Sequence, residues 1–316
     1  MVALLLRLVV LLLAMLAAGW AAWWIPRGQA LVGVLGALAL LLLPAWVLAF
    51  EFVFVPLANR TDPAPRARSS ELLWAWWNES WLAFRVFAWQ MPFRSHVHPD
   101  HVNADSHGRP GMVEGEGRGN PGLVLVHGFM CNRGVWNGWL PRLRARGVAF
   151  IAPSLEPAFG SIDAYAAAID DAVRRLREAT GVAPLIVAHS MGGVAVRAWC
   201  ARAPELEQRD GVPRDVRAVV TIATPHQGTV FGHRGPMTNV DQMRRGSPWL
   251  DALARGEAPA LRQRFVCFYG HCDNIVLPAS TATLEGADNR HLRATAHMQL
   301  VEHPAVFAAV ADALGR

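Results

Sequence analysis

The residues best equipped for chemistry lie in Leu185-Ile186-Val187-Ala188-His189-Ser190-Met191-Gly192-Gly193. A short apolar run ends in a serine flanked by small residues, and a helix-like stretch follows from about Gly192. A serine on so sharp a strand-to-helix turn presents its hydroxyl above the sheet edge, while the two glycines let the helix pack close against the strand. The usual pattern is G-x-S-x-G, and Ala188 departs from it by one methyl group. A serine capping a helix N-terminus would account for Ser190 itself but not for its small neighbours.

A serine hydroxyl is a weak nucleophile until a base takes its proton, and the base needs an acid to fix its tautomer. In a nucleophile elbow these follow in the order acid, then histidine. Asp273 comes just after the apolar run Phe265–Phe268, where an open sheet presents its functional groups. Asp241, Asp251 and Asp288 compete with it, two on expected helices and one in an expected loop. His297 lies 24 residues beyond Asp273, ahead of a final helix expected to start near His303-Pro304. His291 and His303 are its rivals. His189 neighbours the serine along the chain, so strand alternation sends its side chain away from the face that Ser190 presents. Attack on an ester places charge on the carbonyl oxygen, which calls for two preorganised N–H donors. The amide of Phe129, in His127-Gly128-Phe129, and that of Met191 are the candidates.

The elements that must position these groups alternate. Apolar runs at 123–126, 149–151, 185–187, 218–222 and 265–268 read as strands covered on both faces. Between them, Ile162, Tyr165, Ile169, Val173 and Leu176 recur at helical spacing. The alternation predicts an α/β domain with a mostly parallel sheet and helices on both faces.

His127-Gly128-Phe129, Ala188-His189-Ser190-Met191-Gly192-Gly193 and Thr224-Pro225-His226-Gln227-Gly228-Thr229 together resemble the α/β-hydrolase fold, specifically bacterial triacylglycerol lipases, over roughly 121–316. The resemblance implies a triad of Ser190, Asp273 and His297 with an oxyanion hole at Phe129 and Met191. It also implies a structural role for His226 and an insertion near the pocket at Met243 to Leu250. Some of these lipases bind calcium through an aspartate two residues beyond the histidine; Gln299 stands there, so no calcium is expected by that route. No other metal and no cofactor is expected. Phe129, Met130, Trp136, Met191 and Val230 are candidates for an apolar pocket, or for ordinary core.

The 316 residues are 53% hydrophobic and only 17% charged, which points part of the chain toward a membrane and excludes a disordered chain. Leu8 to Ile25 and Ala30 to Phe50 are uncharged runs of 18 and 21 residues around the turn Pro26-Arg27-Gly28-Gln29. Each reaches about 30 Å as a helix, so residues 1–57 read as a transmembrane hairpin, with a cleaved signal peptide and one span as the alternative. Arg60, Arg66 and Arg68 after the second run, against Arg27 in the turn, place the bulk of the chain on the cytoplasmic side of a bacterial inner membrane. Glu71 to Phe93 carries Trp74, Trp76, Trp77, Trp81 and Trp89, as expected of a helix in the headgroup layer or packed on the domain. Residues 94–120, with His96, His98, His101 and His107, read as a linker, which completes an intermediate segment at 58–120. The hairpin is expected to be separable from catalysis on soluble esters.

All 30 basic residues are arginine, giving a net charge of +5 that suits anionic surfaces such as lipid headgroups. No recognition-helix or zinc-finger spacing points to nucleic acid. The four cysteines form no C-x-x-C pair; Cys267 and Cys272 alone are close enough to invite a bridge, and they read rather as two thiols flanking a strand end. The residues therefore imply a membrane-anchored serine ester hydrolase acting on lipid or other acyl esters. The alternatives are an acyltransferase that uses the same acyl-serine and a catalytically silent membrane scaffold. Serine rather than aspartate at the elbow argues against dehalogenase and epoxide-hydrolase chemistry.

Overall fold

The computed structural model describes residues 1–102, 121–202, 208–209, 212–213 and 217–315. Most of the expected linker, including His107, lies outside them. Helix α1 (Val2–Trp24) is followed by a 3-10 turn at Ile25–Arg27, and Gly28, at φ +77°, reverses the chain into α2 (Ala30–Leu41). Helix α3 (Leu43–Ala58) then leaves α2 at an angle of 59°. The run expected as one span, Ala30 to Phe50, is thus two helices broken at Leu42. Pro44 explains the break: lacking an N–H, it is tolerated only in the first turn of a helix, so it opens a new one. By length and composition α1 can cross a bilayer, and the bent pair can do so only if counted as one span.

The far end of α3 is built into the rest of the molecule. Phe52 and Val55 are buried in a small core with Ala75, Cys272, Leu277 and Ala296. Helix α4 (Ser69–Ala83) starts where Glu71 Oε2 accepts the Arg68 N–H at 2.8 Å, and it is tied to α3 by Trp76 Nε1–H donating to the Ala45 carbonyl at 3.0 Å. Its inner face buries Ala75 and Glu79, whereas Trp74, Trp77 and Trp81 are exposed. A wide π-helical turn, Phe84–Gln90, continues the outward aromatic display with Phe84 and Trp89.

Six parallel strands form the sheet: β1 (Leu123–Val126), β2 (Phe150–Ile151), β3 (Leu185–His189), β4 (Ala218–Ile222), β5 (Phe265–Gly270) and β6 (Asp288–Leu292), in the order β2-β1-β3-β4-β5-β6. Within the continuous apolar runs the side chains still alternate. Val124, Val126, Ile186 and Ala188 pack on one face with Ile169, Val173 and Leu176 of α5 (Ala166–Thr180) and with α6 (Met191–Ala201). Leu123, Leu125, Leu185 and Val187 pack on the other with Trp136, Trp139 and with Phe307 and Val310 of α7 (Pro304–Ala313). Two buried layers hold β3 at the centre of the sheet, which fixes the height at which its C-terminal end emerges. Strand β6 was not expected: Asp288-Asn289-Arg290-His291-Leu292 has no apolar run, because an edge strand with its first residues in solvent needs none.

If α3 belongs to the catalytic unit's core, a charge placed in its buried face must weaken the whole molecule. Val55→Asp is expected to cost about 3 kcal/mol or more. Calorimetry of the full chain checks this, since an independent anchor would leave the main unfolding transition where it is.

Candidate active site

Ser190 sits between β3 and α6 with φ +54° and ψ −130°, a conformation that L-residues rarely adopt. Such strain persists only where the surroundings over-determine it. Here the Ser190 N–H donates to the Ile222 carbonyl of the neighbouring strand at 2.8 Å, and the Ser190 carbonyl accepts from the Gly193 N–H at 3.0 Å. Ser190 occupies the N-cap position of α6, yet its side chain makes no capping hydrogen bond, so the hydroxyl is not spent there.

Three glycines make the turn possible. A Cβ on Gly128 would lie 2.8 Å from Ser190 Cβ, one on Gly192 would lie 2.6 Å from the His127 carbonyl oxygen, and one on Gly193 would meet Thr224 Oγ1 at 2.2 Å. The helix thus approaches both the strand and the His127-Gly128-Phe129 loop more closely than any side chain allows. His127 holds that loop. Its Nε2 accepts the Leu155 N–H at 3.0 Å, so Nδ1 carries the proton and donates to the Gly128 carbonyl at 2.9 Å. Burial lowers the His127 pKa to about 4, keeping the ring neutral. In a planar trans peptide the Phe129 N–H points opposite to that carbonyl. Among the described residues neither the Phe129 nor the Met191 amide has a hydrogen-bond partner.

Asp273 follows β5 and is buried. Its Oδ1 accepts the N–H groups of Ile275 at 2.8 Å and Val276 at 2.9 Å, which fixes the carboxylate before any partner arrives. His297 Nδ1 meets that carboxylate at 3.0 Å from Oδ1 and 3.1 Å from Oδ2. The two residues singled out in sequence, 24 positions apart, are therefore brought together. Burial acts to lower the His297 pKa, but the Asp273 charge and hydrogen bond, aided by Glu79 and Glu51, outweigh it and leave the ring more basic than usual. Four of the five rivals are engaged elsewhere, and Asp251 is exposed on the helix Pro248–Gly256. His291 bonds to His271 at 2.9 Å, His303 Nδ1 accepts the Ala305 N–H at 3.2 Å, and Asp241 and Asp288 pair with Arg244 and Arg290.

The His297 ring stacks obliquely on His189, with centroids 4.7 Å apart, which brings it beside the residue preceding Ser190. Among the described residues no hydrogen bond joins Ser190 to His297. Bonds of this kind are often long without substrate and close when it binds. The expectation that His189 points away from the site is corrected: the positive φ of Ser190 takes it off the strand path, so simple alternation does not carry past residue 189.

Of the apolar pocket candidates, Trp136 is core, packed edge-to-face on Trp139 at 5.6 Å, while Val230 is exposed. His226 is structural in its contacts: buried, it meets Thr221 Oγ1 at 2.9 Å while its carbonyl accepts from Arg197 at 2.7 Å. All four cysteines are free and buried, and burial pushes the thiols of Cys131 and Cys272 up to about 12, far from the thiolate form.

The N-terminal helices supply residues that pattern reading missed. Asn274 Nδ2–H donates to Glu51 Oε2 of α3 at 2.7 Å, and Asn274 Oδ1 accepts the His297 N–H at 3.4 Å. Asn59 Oδ1 accepts the Ala279 N–H at 2.8 Å, and Asp62 accepts from Ser280. Glu79 of α4 accepts the N–H groups of Met298 and Gln299 at 2.7 and 3.1 Å, and Gln299 Nε2–H donates to the Ala75 carbonyl at 2.6 Å. The only sequence signals were two glutamates at odds with their apolar surroundings. The expected separability of residues 1–57 does not fit this network, because α3 holds the loop that carries Asp273.

Residues 123–312 match the alpha/beta hydrolase family, and the chain belongs to it. Among solved structures it is similar to lipase BlEst2 of Bacillus licheniformis in its mature form, with a TM-score of 0.52 and 16% identity over 66% of this chain and 99% of that one. It is also similar to Aspergillus fumigatus lipase B, with a TM-score of 0.54 and 17% identity over 65% of this chain and 56% of that one. The chain thus spans little more than half of the Aspergillus lipase, and at such identities the likeness concerns the fold. No curated protein matches the chain in sequence. Helices α1 to α4 precede the family match, so the family accounts for the sheet and its turns but not for Glu51 or Glu79.

Gly192→Ala is expected to force apart the α6 start and the 127–129 loop, lowering stability by about 1–3 kcal/mol and reducing any activity that depends on them. Thermal unfolding and ester hydrolysis of the same preparation check both effects.

Proposed function

We propose that the protein is a membrane-anchored carboxylic ester hydrolase of lipase or esterase type that works through an acyl-serine. The single observation that carries the reading is the buried Asp273–His297 pair at 3.0 Å, lying beside a strained serine whose hydroxyl is free of capping duty. In this mechanism Ser190 Oγ attacks the ester carbonyl and its proton passes to His297 Nε2. The oxyanion is held by the free amides of Phe129 and Met191. His297 then protonates the departing alcohol, leaving acyl-Ser190. Water attacks that ester with His297 again taking the proton, and the acid and free serine are released. Asp273 keeps Nδ1 protonated and stabilises the imidazolium throughout.

The membrane part of the proposal is supported by α1, long and apolar enough to cross a bilayer, and by the exposed Trp74, Trp77, Trp81 and Trp89 beyond it. Tryptophans on the free face of a helix suit the headgroup layer, where one edge of the ring stays wet. Acyl chains presented at a bilayer are the substrate class that fits. The arginine bias after α3 favours the cytoplasmic side of an inner membrane.

Purified full-length protein is expected to react with a fluorophosphonate at Ser190, and to hydrolyse p-nitrophenyl esters from acetyl to palmitoyl with a gain on long chains when vesicles are present. Ser190→Ala and His297→Ala are each expected to lower turnover by about a thousandfold or more while leaving the circular dichroism spectrum intact. Near-normal hydrolysis by either variant would remove the mechanism. Because the base must be neutral and its pKa is raised, kcat/KM should fall with decreasing pH through a value above that of an ordinary histidine.

A further inference from the structure

The loop that carries His297 is held from outside the family's core. Glu79 is 1% exposed, and its two carboxylate oxygens accept the main-chain N–H groups of the two residues that follow His297, at 2.7 Å (Met298) and 3.1 Å (Gln299). Among the described residues it makes no ion pair with Arg. A buried carboxylate without a cationic partner is costly, and an apolar side chain would fill the same space more cheaply. Packing alone therefore does not account for an acid here.

We propose that Glu79 is a positioning residue for His297, fixing the His297-Met298-Gln299 backbone through two hydrogen bonds and adding negative charge beside the imidazole as it becomes protonated. The proposal rests on the reading of Ser190, Asp273 and His297 as a triad. Several groups face this pair: Asp273 from the loop after β5, Glu51 from α3, and His189 from the end of β3. Burial, with the neighbouring imidazolium, drives His189 well below the usual range, so it contributes no charge. Burial pushes the Glu79 carboxyl up to about 7, while the Met298 N–H, the His297 charge and the Gln299 N–H pull the other way. Once ionised, Glu79 in turn favours protonated His297, after burial and Asp273 have had their larger effects. The acid comes from α4, the helix whose opposite face displays Trp74, Trp77 and Trp81, so the element expected to lie at the bilayer also sets the base.

Full-length Glu79→Gln and Glu79→Asp are compared with wild type on p-nitrophenyl butyrate. Glu79→Gln keeps the volume but loses the charge and one acceptor. It is expected to lower kcat about ten- to hundredfold with little change in KM, and to move the acid limb of the kcat/KM profile to lower pH because the imidazolium loses support. Glu79→Asp keeps the charge but falls short of the two amides, so kcat should fall while the acid limb stays in place. Wild-type kcat and an unmoved limb in Glu79→Gln would overturn the proposal; if that variant does not fold, wild-type kcat in Glu79→Asp overturns it. Fluorophosphonate labelling of wild-type Ser190 is read in parallel. Absence of labelling sinks the triad reading, whereas a labelled wild type with unaffected Glu79 variants sinks the positioning role alone.

Discussion

The molecule is organised around a close approach of three backbones. The end of β3, the start of α6 and the 127–129 loop meet where no Cβ fits at Gly128 or Gly192, and Thr224, just after β4, leaves no room for one at Gly193. Ser190 is forced into its positive-φ conformation at that meeting point. The two core layers keep β3 where the turn needs it, and the buried hydrogen bond from neutral His127 keeps the loop at the right height.

Around this turn the electrostatics are weighted toward the negative. Asp273, Glu79 and Glu51 all raise the basicity of His297 against its burial. Two of the three act through further hydrogen bonds: Glu51 through Asn274, and Glu79 directly on the main chain after the imidazole. The N-terminal helices are thereby connected to both loops of the Asp273–His297 pair, bonds that a mere tether would not need. The face of α4 that buries Glu79 and the face that displays Trp74, Trp77 and Trp81 belong to one helix, so the exposed tryptophans and the backbone after His297 are linked mechanically.

Much of this was legible in the residues themselves. Five of the six strands stand out as apolar runs because both faces of the sheet are covered, and Ile162 to Leu176 shows its buried stripe through spacing alone. The elbow could be read because its glycines are dictated by hard-sphere contact. Strand β6 could not, since an exposed edge imposes no hydrophobic pattern. The break at Leu42 was hidden inside a uniformly apolar run where Pro44 was the single cue. Glu51 and Glu79 stayed hidden for a different reason: their partners are backbone amides and an asparagine more than two hundred residues away, and local periodicity is blind to tertiary pairing.

Both margins of the sheet discourage further pairing. On one side β2 is only two residues long, and His101 bridges to Phe150 in antiparallel fashion, occupying its free hydrogen-bonding groups. On the other, β6 offers Asp288, Asn289 and Arg290 to water, a polar fringe that a foreign strand would have to desolvate before it could add. In a chain this rich in exposed apolar helix the main sheet is thus a poor template for amyloid-like growth, and the apolar helices are the surfaces on which self-association costs least.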